Sequence, residues 1–365
     1  MRLSSDTPAT ALLSVMQNPS RAFLLGPLLK GVSRSFYLTL NVLPAGMRDP
    51  VGVAYLLARA ADTIADTALI PPGQRLELLL SLRARVNDAT VDDDVIRRIA
   101  SEVANQQTQS DEKVLLESLG AALAVLSQLN EDDQVAVRAI VTTLTEGMEY
   151  DLRTFPDERS GRVTALHTWD ELDRYTYFVA GCVGEFWTKM TYAHVPGALK
   201  GDSATLMRDG VRFGKALQMV NVLRDCGKDL RIGRCYLPDT MLSEAGLHAE
   251  DLLAPDASQR ARPLMLELVR RTLDHFRAAI DYTFAIPSWS IRLRLACLWP
   301  ILIGLETLLL LVENDDWLDP RKASKLKRGN VYRILARSTL TAPSNRLLRI
   351  WFDQLIVRIE ARLAS

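Results

Sequence analysis

The spacing of its apolar residues constrains this chain more than any other feature. From Arg75 to Val86, Val114 to Leu129, Gln134 to Leu152, Leu206 to Leu230 and Pro263 to Phe284, apolar side chains recur at three- and four-residue intervals. That is the period of one face of an α-helix. No alternating run long enough for a half-buried strand lies between these stretches. Helix breakers fill the gaps instead, at Pro71-Pro72-Gly73, Pro156 to Gly161, Pro196-Gly197 and Pro255. Start signals agree with the periodicity: Asn130-Glu-Asp-Asp precedes Gln134, and Thr168-Trp-Asp-Glu171 reads as a capping box. No repeat of fixed period and no shift of composition divides the chain. The pattern predicts an all-α fold with one domain over residues 28–340. A loosely ordered segment (1–27) is expected before it and an amphipathic helix (341–365) after it.

Charge and cysteine usage exclude several function classes. The 44 basic and 44 acidic side chains balance, whereas a nucleic-acid binder shows a basic excess or stripe. Cys182, Cys226, Cys235 and Cys297 lie far apart without a C-x-x-C pair, so neither a disulfide framework nor a zinc site is expected. His167, His194, His248 and His275 show no ligand spacing either. The start, Met1-Arg-Leu-Ser-Ser-Asp6, carries an acid where a secretory signal is cationic. The stretch from Leu295 to Val312 approaches the length of a membrane span but contains Pro300 and Glu306. It reads as a buried core helix kinked at the proline. Between Ser344 and Leu363, Arg346, Arg349, Arg358 and Arg362 are interspersed among apolar residues; such a helix packs on its domain or touches a membrane surface. The expectation is a monomeric cytoplasmic protein, attached to a membrane at most peripherally.

Two pairs of acids carry the chemistry. Asp62 and Asp66 stand four apart in an otherwise apolar stretch, with Tyr55 and Arg59 on the same helical side. Asp225 and Asp229 repeat the device, with Gln218 and Asn221 upstream on that face and Arg224 and Lys228 beside it. Either pair alone is compatible with a solvated helix face. Two such faces with arginine at hand, on apolar helices, read as the walls of a cavity, because unpaired buried carboxylates are costly. Carboxylate oxygens suit Mg²⁺, which takes one or two of them and completes its shell with water and substrate phosphates. Arginine and lysine would hold the remaining phosphate charge. No G-x-x-x-x-G-K-[ST] or G-x-G-x-x-G sequence is present to cradle a nucleotide. The residues therefore point to Mg²⁺-dependent ionisation of a prenyl diphosphate.

Four segments together resemble one family. They are Ser33-Arg-Ser-Phe36, Tyr55 to Asp66, Tyr175 to Gly184, and Gln218 to Asp229 followed by Gly233-Arg-Cys-Tyr-Leu-Pro238. In that order they resemble the motifs of the squalene and phytoene synthases, over about Leu28 to Gly329. The resemblance implies a single-domain isoprenoid-synthase bundle of helices around a central cavity. It implies that Asp62, Asp66, Asp225 and Asp229 are Mg²⁺ ligands, and that Arg34, Arg59 and Arg224 contact diphosphate or cofactor phosphate. Ser33, Ser35 and Phe36 would line the same mouth, with Tyr55, Gln218 and Asn221 binding substrate. Tyr175 would orient or relay a proton as the first diphosphate leaves. The sequence departs from the pattern at Ala65 and Thr67, where the family has acids, at Lys228, and at Phe178 in place of a second tyrosine.

Ser324-Lys-Leu-Lys-Arg-Gly329 and Cys297-Leu-Trp-Pro300 resemble the squalene-synthase branch, in which basic residues bind NADPH phosphates; Lys325 and Lys327 are the matching positions. This implies condensation of two molecules of farnesyl diphosphate to presqualene diphosphate and NADPH reduction to squalene. Alternatives are a phytoene or dehydrosqualene synthase without the reduction, a water-quenched hydroxysqualene synthase, and a non-catalytic helical relative acting as an interaction module. The bland reading of the basic run is a solvated loop or membrane-surface patch.

Overall fold

The computed structural model describes residues 19–33, 36–155 and 158–364. Its helices of eight residues or more are, in chain order, α1 (Ala45–Asp66), α2 (Pro72–Asn87), α3 (Ser110–Glu117), α4 (Leu119–Ser127), α5 (Glu131–Thr154) and α6 (Trp169–Thr176). They continue as α7 (Cys182–His194), α8 (Ser203–Leu230), α9 (Arg262–Ala285), α10 (Ile291–Val312), α11 (Arg328–Thr341) and α12 (Asn345–Leu363). The chain is all-α, as the periodicity predicts. Extended structure among the described residues is one parallel pairing of two residues with two, Thr164–Ala165 with Arg234–Cys235.

Two local expectations need correction. The stretch from Val114 to Leu129 is two helices, because Ser118 leaves the helical region at φ −96° and ψ 5°. Its N–H is shared between the carbonyls of Val114 and Leu115, a terminal pattern. At Thr168 only half of a capping box forms: the Thr168 hydroxyl accepts from the Glu171 N–H. The Glu171 carboxylate accepts from the N–H of His167 at 2.6 Å, one residue before the cap. Of the segment expected to be loose, residues 1–18 lie outside the described residues. From Arg21 the chain is helical, and Leu24 and Leu28, one turn apart, are buried.

The described residues form two compact units, those within 19–37 with 48–145, and those within 38–47 with 146–364. In the first, α1 buries Val53, Leu56, Leu57, Ala60, Ala61 and Ile64 completely, the apolar stripe that its spacing encodes. In the second, α8 packs against α6, α7, α9 and α10. Helix α10 is long and apolar enough to cross a membrane, yet 78% of its most apolar window is buried inside the protein. It runs through Pro300 without ending. Helix α12 buries Leu348, Trp351, Phe352, Leu355 and Ile359 and packs on α9 and α10, while Arg337 of α11 stacks on Trp351 at 4.1 Å. The four cysteines are free and buried.

The approach of α8 to the segment before it is unusually close. A Cβ at Gly184 would lie 1.7 Å from the carbonyl oxygen of Gly210, and one at Gly214 would lie 2.0 Å from that of Ala180. Both obstacles are backbone, which cannot rotate away as a side chain could. Gly184→Ala should therefore cost about 3 kcal/mol, the upper end of what overpacking costs, read as a lower midpoint in urea or thermal unfolding. A variant as stable as the parent would show that the two helices separate freely.

Candidate active site

In the first unit the acid pair sits on the last turns of α1. Asp66 is the final residue of the helix and is exposed, whereas Asp62 is half-buried one turn earlier. Burial and the Asp66 charge push the Asp62 carboxyl up to about 7, against the pull of Arg59. The Arg59 guanidinium donates to Asp62 through one nitrogen and to Glu112 Oε1 of α3 through the other, at 2.5 Å. Upstream, the Tyr55 ring stacks on Phe36 with centroids 5.5 Å apart and planes 19° from parallel. Ser33 is buried and donates to the Leu29 carbonyl within its own helix. Arg34 and Ser35 lie outside the described residues. Glu112 was not legible in the sequence: it stands 53 residues from Arg59, and no local spacing connects them.

In the second unit α8 carries the other pair. Asp225 and Asp229 are both half-buried. Arg224 donates from Nε to Asp225 Oδ1 at 2.9 Å and from Nη2 to Oδ2. Burial and the Asp225 charge push the Asp229 carboxyl up to about 7, with Arg234 and Lys228 pulling it down. Asn221 donates to Gln218 on the same face, at 3.3 Å. The sequence places Tyr175 near this chemistry, and the structure surrounds it with residues that the motif reading left without a role. Tyr175 is buried and stacks on Tyr236, with centroids 4.7 Å apart at 25°. Phe155 packs edge-on with Tyr236, centroids 5.0 Å apart. The Tyr236 hydroxyl donates to Asp151 Oδ2 at 2.7 Å, and Arg234 reaches the same oxygen at 2.9 Å and Glu158 at 3.2 Å. Burial, Asp151 and Tyr236 hold the Tyr175 phenol well above its ordinary range, so it is neutral. The short pairing of Arg234–Cys235 with Thr164–Ala165 anchors the segment that delivers Arg234 and Tyr236.

Farther along this unit, the loop from Pro320 carries the basic run. Arg321 and Lys322 are paired with Asp319 and Asp316. Lys325 and Lys327 are exposed, and no ion pair joins either to an acid among the described residues. The loop is pinned by Asn314, which donates to the Lys322 carbonyl at 2.8 Å and to Ser324 Oγ at 3.1 Å.

Among the described residues, no three His, Cys, Asp or Glu side chains converge into a ready-made metal cage. The donor sets that do exist fit Mg²⁺. Each is a pair of hard oxygen donors with one member driven towards neutrality by burial and by its partner's charge, a repulsion that a divalent cation relieves, and Mg²⁺ takes few protein ligands.

A family model described as squalene/phytoene synthase matches residues 29–329. The chain belongs to the squalene/phytoene synthase family. Members of this family are prenyltransferases. A bifunctional lycopene cyclase/phytoene synthase of Colletotrichum graminicola is 30% identical over 262 residues, 70% of this chain and 41% of that protein. A squalene synthase of Nicotiana benthamiana is 26% identical over 318 residues, 86% of this chain and 70% of that one. This chain thus spans less than half of the fungal relative. The solved complex of TcSQS with the ligand E5700 has a TM-score of 0.71 at 23% identity, covering 93% of this chain and 95% of that one. At that identity the likeness shows the fold, the all-α isoprenoid-synthase fold.

The raised Asp229 carboxyl makes stability depend on pH. The folded protein keeps this proton up to about pH 7, whereas the unfolded chain loses it near 3.8. Stability therefore falls as pH rises between those values and levels off above them. In EDTA, Asp229→Asn should match the parent in melting temperature near the acid end and exceed it by several degrees at pH 8. A difference that does not grow with pH would remove the electrostatic account.

Proposed function

We propose that this chain is a Mg²⁺-dependent squalene synthase that joins two molecules of farnesyl diphosphate head to head and reduces the product with NADPH. The observation that carries the reading is the pair of D-x-x-x-D faces, each with one carboxyl, Asp62 or Asp229, pushed up to about 7 by burial and by its own partner. Mg²⁺ would be held by Asp62 with Asp66 and by Asp225 with Asp229, and when bound it supplies positive charge to the departing diphosphate. Arg59 and Arg224, each already bound to an aspartate of its pair, keep those carboxylates oriented and add positive charge for phosphate oxygens. Departure of the first diphosphate leaves an allylic cation, the 2,3-double bond of the second substrate attacks it, and proton loss closes the cyclopropane of presqualene diphosphate. Tyr175 faces that cation as a neutral phenol, with a π-face and a hydroxyl. The Tyr175 ring, stacked on Tyr236 with Phe155 edge-on behind it, would help to exclude water that would capture it. Loss of the second diphosphate and rearrangement would leave a C30 cation, and NADPH, which Lys325 and Lys327 would hold through its phosphates, would supply the hydride that quenches it to squalene.

A second reading, a phytoene or dehydrosqualene synthase, is favoured by the relative named for phytoene synthesis at 30% identity. Products formed from farnesyl diphosphate and Mg²⁺, with and without NADPH and identified by mass, separate the two. Squalene only with NADPH supports the proposal, and the same dehydrosqualene in both reactions overturns the reductive half. Asp62→Asn and Asp225→Asn should each lower kcat/KM for pyrophosphate release at least about 100-fold, the scale of losing one electrostatic stabiliser, with the helical circular dichroism unchanged. Full activity in either variant refutes its role as a ligand.

A further inference from the structure

Helices α11 and α12 carry apolar residues on the sides that face away from the protein. In α11 the buried side chains are Ile334 and Ser338, followed by Ala342 just past the helix end. Tyr332, Ala336 and Leu340 each stand two residues from one of these, about 200° round the helix. Tyr332 is 68% and Leu340 82% exposed. In α12 the positions midway between two buried residues four apart are Ile350, Asp353, Val357 and Ala361, and three of these four outermost residues are apolar. Val357 is 60% exposed. A helix that only docks on its own core is polar on that side.

The charge around these faces has one sign. Seven arginines stand in the two helices against Asp353 and Glu360, an excess of five in a chain whose charges balance. Glu360 is already paired with Arg277 of α9 at 2.5 Å. Arg333, Arg346 and Arg358 are exposed, and no acid lies at ion-pair distance from any of them among the described residues. The two helices are fastened together and to the core: Arg337 stacks on Trp351, and the buried Arg294 of α10 donates to the Ala342 carbonyl at 2.8 Å and to Asn345 Oδ1. Trp289, 70% exposed, lies in the turn between Phe284, on which Arg349 stacks at 4.8 Å, and Arg294, so it flanks the same joint.

We propose that the outward faces of α11 and α12, with Trp289, form a docking surface for an anionic lipid bilayer. The apolar residues would enter the boundary between headgroups and acyl chains, with the arginines on the lipid phosphates and the tryptophan at headgroup level. Helix α10, the segment apolar enough to span a bilayer, is buried, so the contact lies in the plane of the membrane. Charge decides between this occupant and a second copy of the chain, because two such faces brought together would set like charges against each other.

Binding is read without substrate, so it is decided apart from the proposed reaction. The full chain should sediment with vesicles of phosphatidylcholine and phosphatidylglycerol, less so as salt rises, and not with phosphatidylcholine alone. Its tryptophan emission should shift to the blue on the anionic vesicles, a shift that Trp289→Phe lacks. Arg346→Gln with Arg358→Gln should weaken partitioning about 30-fold, at roughly fivefold per basic residue near an anionic surface. Leu340→Ser with Val357→Ser should weaken it at least about tenfold, whereas Val135→Ser, at an exposed apolar position of the first unit, should leave it unchanged. All these positions are exposed, so melting temperatures should stay with the parent's. A chain that ignores anionic vesicles, binds neutral ones equally well, or binds undiminished in either double variant overturns the proposal. So does a parent dimer that Leu340→Ser with Val357→Ser dissociates, which would give the face to a second copy.

Discussion

The backbone contact between α8 and the Ala180–Thr188 region is what the second unit is built on. Helices that meet through ordinary side chains keep their axes 8–10 Å apart, whereas Gly184 and Gly214 meet backbone directly and Gly210 meets the Thr188 hydroxyl and the Gly184 carbonyl. The positions 210, 214, 218, 221, 225 and 229 follow one another at three- and four-residue steps, so they form a single stripe along α8. Its first two positions are glycine and make the contact, and the remaining four are Gln218, Asn221, Asp225 and Asp229. One face of one helix thus changes from packing to chemistry along its length, and the rigidity of the first part holds the second in place.

The same economy appears in the electrostatics. Each acid pair places two like charges a turn apart on a helix otherwise filled with apolar residues, and each recruits arginine without neutralising the pair. In the first unit Arg59 divides its guanidinium between Asp62 and Glu112. In the second, Arg224 serves Asp225, and Arg234 serves Asp151 and Glu158. A protein selected only for stability would have replaced a carboxyl held near 7 by an amide or a hydrocarbon. Local strain of this kind is characteristic of functional sites.

Much of the architecture was legible in the sequence because helices and their faces are local. The apolar period located α2, α5, α8 and α9 to within a few residues, and the four-residue step put Asp62 with Asp66 and Asp225 with Asp229 on common faces. Where a local rule failed, a single residue was responsible: Ser118 splits α3 from α4, and Glu171 reaches past its cap to His167. Both outcomes turn on one hydrogen bond, a difference smaller than the spacing pattern resolves.

The sequence alone determined the all-α class, the long helices and the composition of each acid face, since these depend on neighbours within a turn. Tertiary structure decided which distant groups complete the chemistry. Glu112 joins Arg59 across 53 residues, and Asp151 joins Arg234 across 83 and Tyr236 across 85. It also decided that α10, apolar enough to span a lipid bilayer, is core instead. These outcomes follow from how packed faces bring side chains together, and no periodicity of 3.6 residues carries information over such distances.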